Sequence, residues 1–243
     1  MPTVPLLDPV RLDHSHTLNR HVPFSFLIAH HQLPEDARGD LERDFPEHAR
    51  AGFFPYEPRE CGTSVNALVE ALTTPEFMHA IGERLGIDEL STLPTMVTLC
   101  GYVDRRHGTI HTGSRSKVAT ALLHLNSLWS DPSDGCLRFL SRDDDIDAIV
   151  APEVTPLYGV FAAFRRADNS FHGYLPYEGE RRIIQIAWLN NEQARQRKMR
   201  RGPATRLFKR LAARLDCRDR HAARLNGAIK RTSMKPEFPV WGR

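Results

Sequence analysis

Apolar positions along the chain come in two textures. In the first 90 residues they recur at helical spacing between turns. Leu33-Pro34-Glu35-Asp36 opens one predicted helix, which runs to about Phe45 and stops before Pro46. Ser64 is placed to cap a second, carried by Leu68, Val69 and Leu72. Thr74-Pro75-Glu76 starts a third with a capping hydroxyl, a proline at the first helical position and an acid in the first turn. Phe77, Ile81 and Leu85 share one face of that helix, and Gly86 ends it. From Thr95 the pattern changes to short β-rich runs separated by polar turns: Thr95–Val103, Lys117–Leu125, Cys136–Leu140, Leu157–Phe164 and Arg182–Leu189. Five strands at this spacing, without helices of any length between them, predict an antiparallel sandwich or barrel. After Asn190 the helical pattern returns, with Leu207, Phe208, Leu211 and Leu215 on one face, followed by Ala222, Leu225 and Ile229. The expected organisation is a support region over 1–94, a β core over 95–189 and a helical extension over 190–243, integrated as one domain. The chain contains no internal repeat.

Composition narrows this little. With 243 residues, 41% hydrophobic and 26% charged, the chain is long enough for a full core and has ordinary globular proportions. No apolar run approaches the ~18–20 residues of a membrane helix, and the N-terminus lacks a basic segment followed by an apolar stretch. A soluble, cytoplasmic protein is expected. Cys61, Cys100, Cys136 and Cys217 are far apart and form no C-x-x-C pair, so they read as thiols in a reducing compartment. Charge changes the picture more. The net +3 conceals a C-terminal segment from Asn190 with 16 Lys+Arg against 4 Asp+Glu, and a remainder with 17 against 26. Such a basic tail either packs on the acidic body or meets an anionic group, and no nucleic-acid motif accompanies it.

Twelve histidines are present. His14, His16, His21, His30, His31 and His48 show no metal-ligand spacing tied to carboxylates or cysteines. His111 and His172 differ. His111 stands between a turn (Arg105–Gly108) and a predicted strand, and His172 precedes Gly179-Glu180-Arg181-Arg182, which leads into the last strand. Two histidines at strand ends of a jelly roll, with an arginine nine or ten residues after the second, frame a non-haem Fe(II) site.

The stretch from about Met96 to Trp188 resembles the Fe(II)/2-oxoglutarate oxygenase superfamily on its prolyl-hydroxylase-like branch. The resemblance is carried by His111-Thr112-Gly113, by LLHLN at 122–126, by Trp129, by Gly135-Cys136-Leu137-Arg138 and by FHGYLPYEGERR at 171–182. It implies a double-stranded β-helix (jelly roll) core with N-terminal helices and a basic helical C-terminal extension. It also implies Fe(II) held by His111 and His172, with 2-oxoglutarate and O2 as cosubstrates. Oxidative decarboxylation would leave a ferryl that abstracts hydrogen from an aliphatic carbon of a small-molecule or carrier-tethered substrate. The far carboxylate of 2-oxoglutarate would be anchored by Arg181 or Arg182. Strand alternation puts only one of them inside, and the family's G-x-R pattern selects Arg181. Asn126 and Trp129 belong to the resemblance without a derivable role, and Gly135 permits a turn.

One departure bears on the chemistry. The family's carboxylate ligand belongs at position 113, where this chain has glycine. In halogenases of the superfamily that position is Ala or Gly, and chloride or bromide takes the volume and the charge of the missing carboxylate. Gly113 therefore predicts a radical halogenase. The alternatives are a hydroxylase with an incomplete triad, natural or engineered, and a catalytically silent binding module. Recruitment of Asp104 would require rebuilding a strand end, and Ser114, read as pointing away on a strand, is a poor Fe(II) ligand.

Overall fold

The computed structural model describes residues 5–13, 16–47 and 50–199. The chain separates into two units, Met1–Arg200 and Arg201–Arg243, and the described residues all belong to the first. His14, His48, Cys217 and the helices expected beyond Leu207 lie outside the described residues.

The elements follow in chain order: β1 (Thr17–Arg20), β2 (Phe26–Ala29), α1 (Arg38–Asp44), β3 (Phe53–Pro55), α2 (Thr63–Leu72), α3 (Pro75–Leu85), β4 (Thr95–Val103), β5 (Lys117–His124), β6 (Arg138–Phe139), β7 (Phe161–Arg165), β8 (His172–Gly173) and β9 (Gly179–Leu189). Residues 192–199 are helical, and the Asn191 side chain accepts the Ala194 N–H at their start. Seven strands form one antiparallel sheet in the order β1-β2-β7-β5-β9-β4-β3, and β6 pairs with β8 in a second, smaller sheet. Single bridges widen the second layer: Leu137 with Val154, Leu140 with Ile149 and His111 with His172.

Strand alternation gives the large sheet two apolar faces. On one face Leu27, Ala121, Leu123, Phe161, Ile184, Ile186 and Trp188 pack with the helical residues Leu68, Leu72, Phe77, Ile81 and Leu85. On the other, Phe26, Ile28, Cys100, Leu122, Ala162, Phe164 and Ile183 meet Leu137, Phe139 and Val154 of the second layer. A large sheet facing a small one, with helices on its outer side, is consistent with the expected jelly roll.

The first 90 residues depart from the expectation of turns and helices only, because they also contribute β1, β2 and β3. β2 is buried along its whole length between β1 and β7, so it is an apolar run without polar alternation. A four-residue run of that kind has no period from which to read a strand. The third predicted helix forms as expected. Thr74 accepts the Phe77 N–H at 3.3 Å, Pro75 is its first residue, and Gly86 closes it in the left-handed conformation at φ 68°. Ser64 does not cap α2: Gly62 holds the N-cap, and the Asp44 carboxylate at the end of α1 accepts the Ser64 N–H at 2.9 Å. The predicted run Cys136–Leu140 keeps only two residues in ladder pairing, and Leu157–Phe164 becomes a strand only from Phe161, past the left-handed Gly159.

Candidate active site

A cavity of about 400 Å³ opens between the two layers, and His111, His172 and Arg181 all line it. His111 and His172 lie far apart in sequence but form a directly opposed antiparallel pair. Each backbone N–H donates to the other's carbonyl at 3.0 Å. Directly opposed residues project to the same side of a layer, and the two imidazoles accordingly meet edge to face with centroids 4.3 Å apart.

Their environments differ. His172 is buried, and its Nδ1–H donates to the Ser170 carbonyl at 2.8 Å, which leaves the Nε2 lone pair free. Burial, reinforced by His111, lowers its basicity to about 3, so the ring is neutral at physiological pH. His111 keeps solvent exposure, and burial of part of its ring together with the Lys117 charge still lowers its pKa. Its Nδ1 accepts the Gly113 N–H at 3.2 Å, so the neutral ring carries its proton on Nε2. Ligation through Nε2 requires that proton to move to Nδ1 and the Gly113 contact to open.

Gly113 has φ +80°, and a Cβ built there would meet no atom within 4 Å. That space is open, although Gly113 is not itself among the residues that line the cavity. Among the described residues no three His, Cys, Asp or Glu side chains gather to hold a metal. Asp104 is engaged elsewhere: it pairs with Arg106 at 2.6 Å and with His107 at 2.9 Å, and the bond to Arg106 leads in holding its carboxyl below the usual range. Ser114 is not on a strand, and its hydroxyl is hydrogen-bonded to that of Ser116 at 2.9 Å.

Arg181 and Arg182 separate as alternation requires. Arg182 pairs with Glu180 at 2.8 Å and remains partly exposed. Arg181 is fully buried and faces the cavity. Its Nε–H donates to the Gly135 carbonyl at 3.0 Å, and its guanidinium carbon lies 4.4 Å from the Tyr174 ring centroid. No acidic side chain among the described residues pairs with it, and burial lowers its pKa.

Three further residues lie around Arg181. Asn126 accepts the Arg182 N–H at 2.8 Å and donates to the Glu180 carbonyl at 3.1 Å, clamping the backbone on both sides of Arg181. Gly135, at φ +74°, supplies the carbonyl for Arg181, and a side chain there would strike Trp129 and Tyr177. His124 is fully buried, both its ring nitrogens lack partners, and burial with the nearby Arg181 charge holds it well below its usual pKa. The run LLHLN contained a signal for it, because Leu122 and His124 share the cavity-facing side of β5. By contrast, Arg138 of the GCLR run is structural. It is buried and pairs with Glu153 and Asp147, tying the loop after β6 to the second layer.

No family model and no curated protein sequence matches the chain. Among solved structures it is similar to a prolyl-4-hydroxylase from Pseudomonas putida at 19% identity, over 68% of this chain and 91% of that one, with a TM-score of 0.46. It is also similar to the viral collagen prolyl hydroxylase of Paramecium Bursaria Chlorella virus-1 (15% identity, 68% and 95% covered, TM-score 0.44). A third is an oxidoreductase of the 2OG-Fe(II) oxygenase family from Burkholderia pseudomallei (11% identity, 74% and 86% covered, TM-score 0.43). Among the described residues no helix is long and apolar enough to cross a membrane.

Proposed function

We propose that this protein is an Fe(II)/2-oxoglutarate-dependent enzyme that oxidises an aliphatic carbon, and that it transfers halide at the oxidised position. The paired imidazoles of His111 and His172 support the metal, as a two-imidazole site and not as a triad with a carboxylate. Bound Fe(II) with 2-oxoglutarate and O2 supplies the oxidising chemistry.

The chain's own residues bind and orient. His172 is held in one tautomer by Ser170, so its Nε2 faces the site without a proton to lose. Among the described residues Arg181 is a buried cation without a counter-ion, a costly arrangement that a bound carboxylate relieves with two charge-assisted hydrogen bonds. His124, fully buried with both ring nitrogens unpartnered, lies close enough to Arg181 to feel its charge, and a bound carboxylate at Arg181 would offset that charge. Phe164, 4.3 Å from the His172 ring, and Leu137 keep water from the inner part of the cavity.

The halide part rests on one observation: the open, side-chain-free space at Gly113 beside His111. Two neutral imidazoles leave the divalent charge of the metal uncompensated by protein, and a small monoanion suits both the space and the charge. The test is product mass after turnover in chloride, bromide and halide-free buffer. A product carrying the halogen of the buffer is expected, and Gly113→Asp should abolish it. That variant must hold a carboxylate on a backbone at φ +80°, at a strain of about 1–2 kcal/mol. Equal yields of a hydroxylated product in all three buffers would make the protein a hydroxylase. If anaerobic addition of Fe(II) and 2-oxoglutarate produces no metal-to-ligand charge-transfer band, the oxygenase reading itself fails.

The two arginines give a separate expectation. Arg181→Met should raise the 2-oxoglutarate concentration needed for half-saturation at least tenfold, because a charge-assisted bidentate contact is worth on the order of 1.5–3 kcal/mol. Arg182→Met, at a partly exposed ion pair, should change it less than twofold. Equal effects in a cosubstrate titration would remove Arg181 from the anchor.

A further inference from the structure

The cavity is one-sided in charge. Among the described residues its lining includes Arg106, Lys117 and Arg181 together with His107, His111 and His172, and no Asp or Glu. Arg106 and His107 are answered by Asp104. Arg181 answers the far carboxylate of 2-oxoglutarate in the function proposed above. That leaves Lys117, a half-buried cavity residue for which no carboxylate partner exists among the described residues, and whose charge reaches both His111 and His172.

Its presence there is built into the backbone. Strict alternation from Thr120 and Leu122, which face the cavity, would turn Lys117 to the opposite side of β5. The ladder between β5 and β9 slips at that point: Lys117 opposes Leu189 and Ala119 opposes Trp188, with Val118 as the extra residue. A bulge of this kind re-aims a side chain, and here Lys117 joins Thr120 on the cavity lining. A lysine turned by a bulge into a cavity without an acid to meet it is a binding group for an anion that arrives from outside.

We propose that Lys117 forms a second anion subsite, separate from Arg181, which receives a single carboxylate of the primary substrate. The inference deepens the proposed function and rests on it for the ligand at Arg181. Lys198 is close enough for its charge to act on Lys117, so the ammonium is not isolated, and it attracts an anion as a point charge without the fixed fork of an arginine. The substrate class that fits this subsite is a small molecule with a free carboxylate; an acyl group held as a carrier thioester has no carboxylate to offer.

The test uses the metal-free full-length chain and follows the His111 and His172 ring resonances by NMR. Sodium acetate and sodium chloride are titrated separately at matched ionic strength. Acetate should shift both rings saturably, and Lys117→Met should weaken its apparent binding at least tenfold. Lys117→Arg, which keeps the charge, and Arg181→Met, which removes the other pole, should retain the response. Lys117→Met should also melt no lower than the parent chain, because it removes a partly buried cation without a partner. Four results would overturn the subsite: no saturable shift in the parent chain, equal shifts in Lys117→Met, loss of the response in Arg181→Met alone, or saturation by chloride and not by acetate. The last would assign Lys117 to halide. None of these outcomes depends on the charge-transfer band, so failure of this subsite and failure of the oxygenase reading are separately visible.

Discussion

His172→Ala and His111→Ala should each reduce Fe(II) binding from one equivalent to none detectable, measured anaerobically by metal analysis after desalting. Most metal sites lose affinity gradually when one donor is removed, because the remaining donors still chelate. Here the protein offers two donors, and a single imidazole competes poorly with water for a divalent ion. The two variants should differ in structural consequence. His172 is buried and engages Ser170, so its truncation leaves a hole and an unpaired carbonyl; His111 is more exposed, and its backbone bridge survives the change. His111→Ala is therefore the cleaner test, with a near-native melt and no iron. Stoichiometric iron in both variants would sink the assignment.

Acid should destabilise this fold more than an ordinary β protein, and through the same pair. His172 titrates near 3 in the folded chain, against about 6.5 when unfolded. Between those values the unfolded chain binds the additional proton, so stability rises with pH across the window. The contribution is complete above about pH 6.5 and is lost as pH falls toward 3, to an extent of up to about 5 kcal/mol. His124, fully buried and held well below its usual pKa, acts in the same direction. Urea midpoints measured from pH 7.5 to 4 should fall steeply in the parent chain and less steeply in His172→Gln, whose neutral amide can still donate to Ser170. Parallel slopes would show that His172 carries no part of the acid response. Saturating Fe(II) should oppose the loss, because the metal binds only the neutral rings.

Several parts of this arrangement are legible without coordinates. The β-rich run from Thr95 to Val103 is bounded by Pro94 and Asp104, and it forms β4 with those limits. Thr74-Pro75-Glu76 with Gly86 marks both ends of α3, because capping and left-handed closure act between near neighbours. The separation of Arg181 from Arg182 follows from period-two alternation in a strand that is apolar on both faces.

Other features required the folded chain. Strand β2 has no period to read, since it is covered on both faces. The cap of α2 comes from Asp44, a residue of a different helix, where local reading finds only Ser64. Lys117 reaches the cavity through a one-residue slip that depends on where β9 runs, and no local propensity reports it. Asn126 acquires its role as a clamp only beside the backbone of residues 180–182.

By itself, the sequence determined the β-rich core, the third helix, the two histidines worth pursuing and the glycine between them and the usual iron chemistry. These are matters of residue type and spacing within a few turns or one strand. Only the tertiary structure decided that His111 and His172 oppose each other across a two-bond bridge, that Arg181 is buried with no acid paired to it among the described residues, that His124 lies near it with both ring nitrogens unpartnered, and that Lys117 lines the same cavity. Those facts depend on burial and on pairing between distant segments. Burial and pairing set the charge and protonation of a side chain, and the residue's identity alone does not.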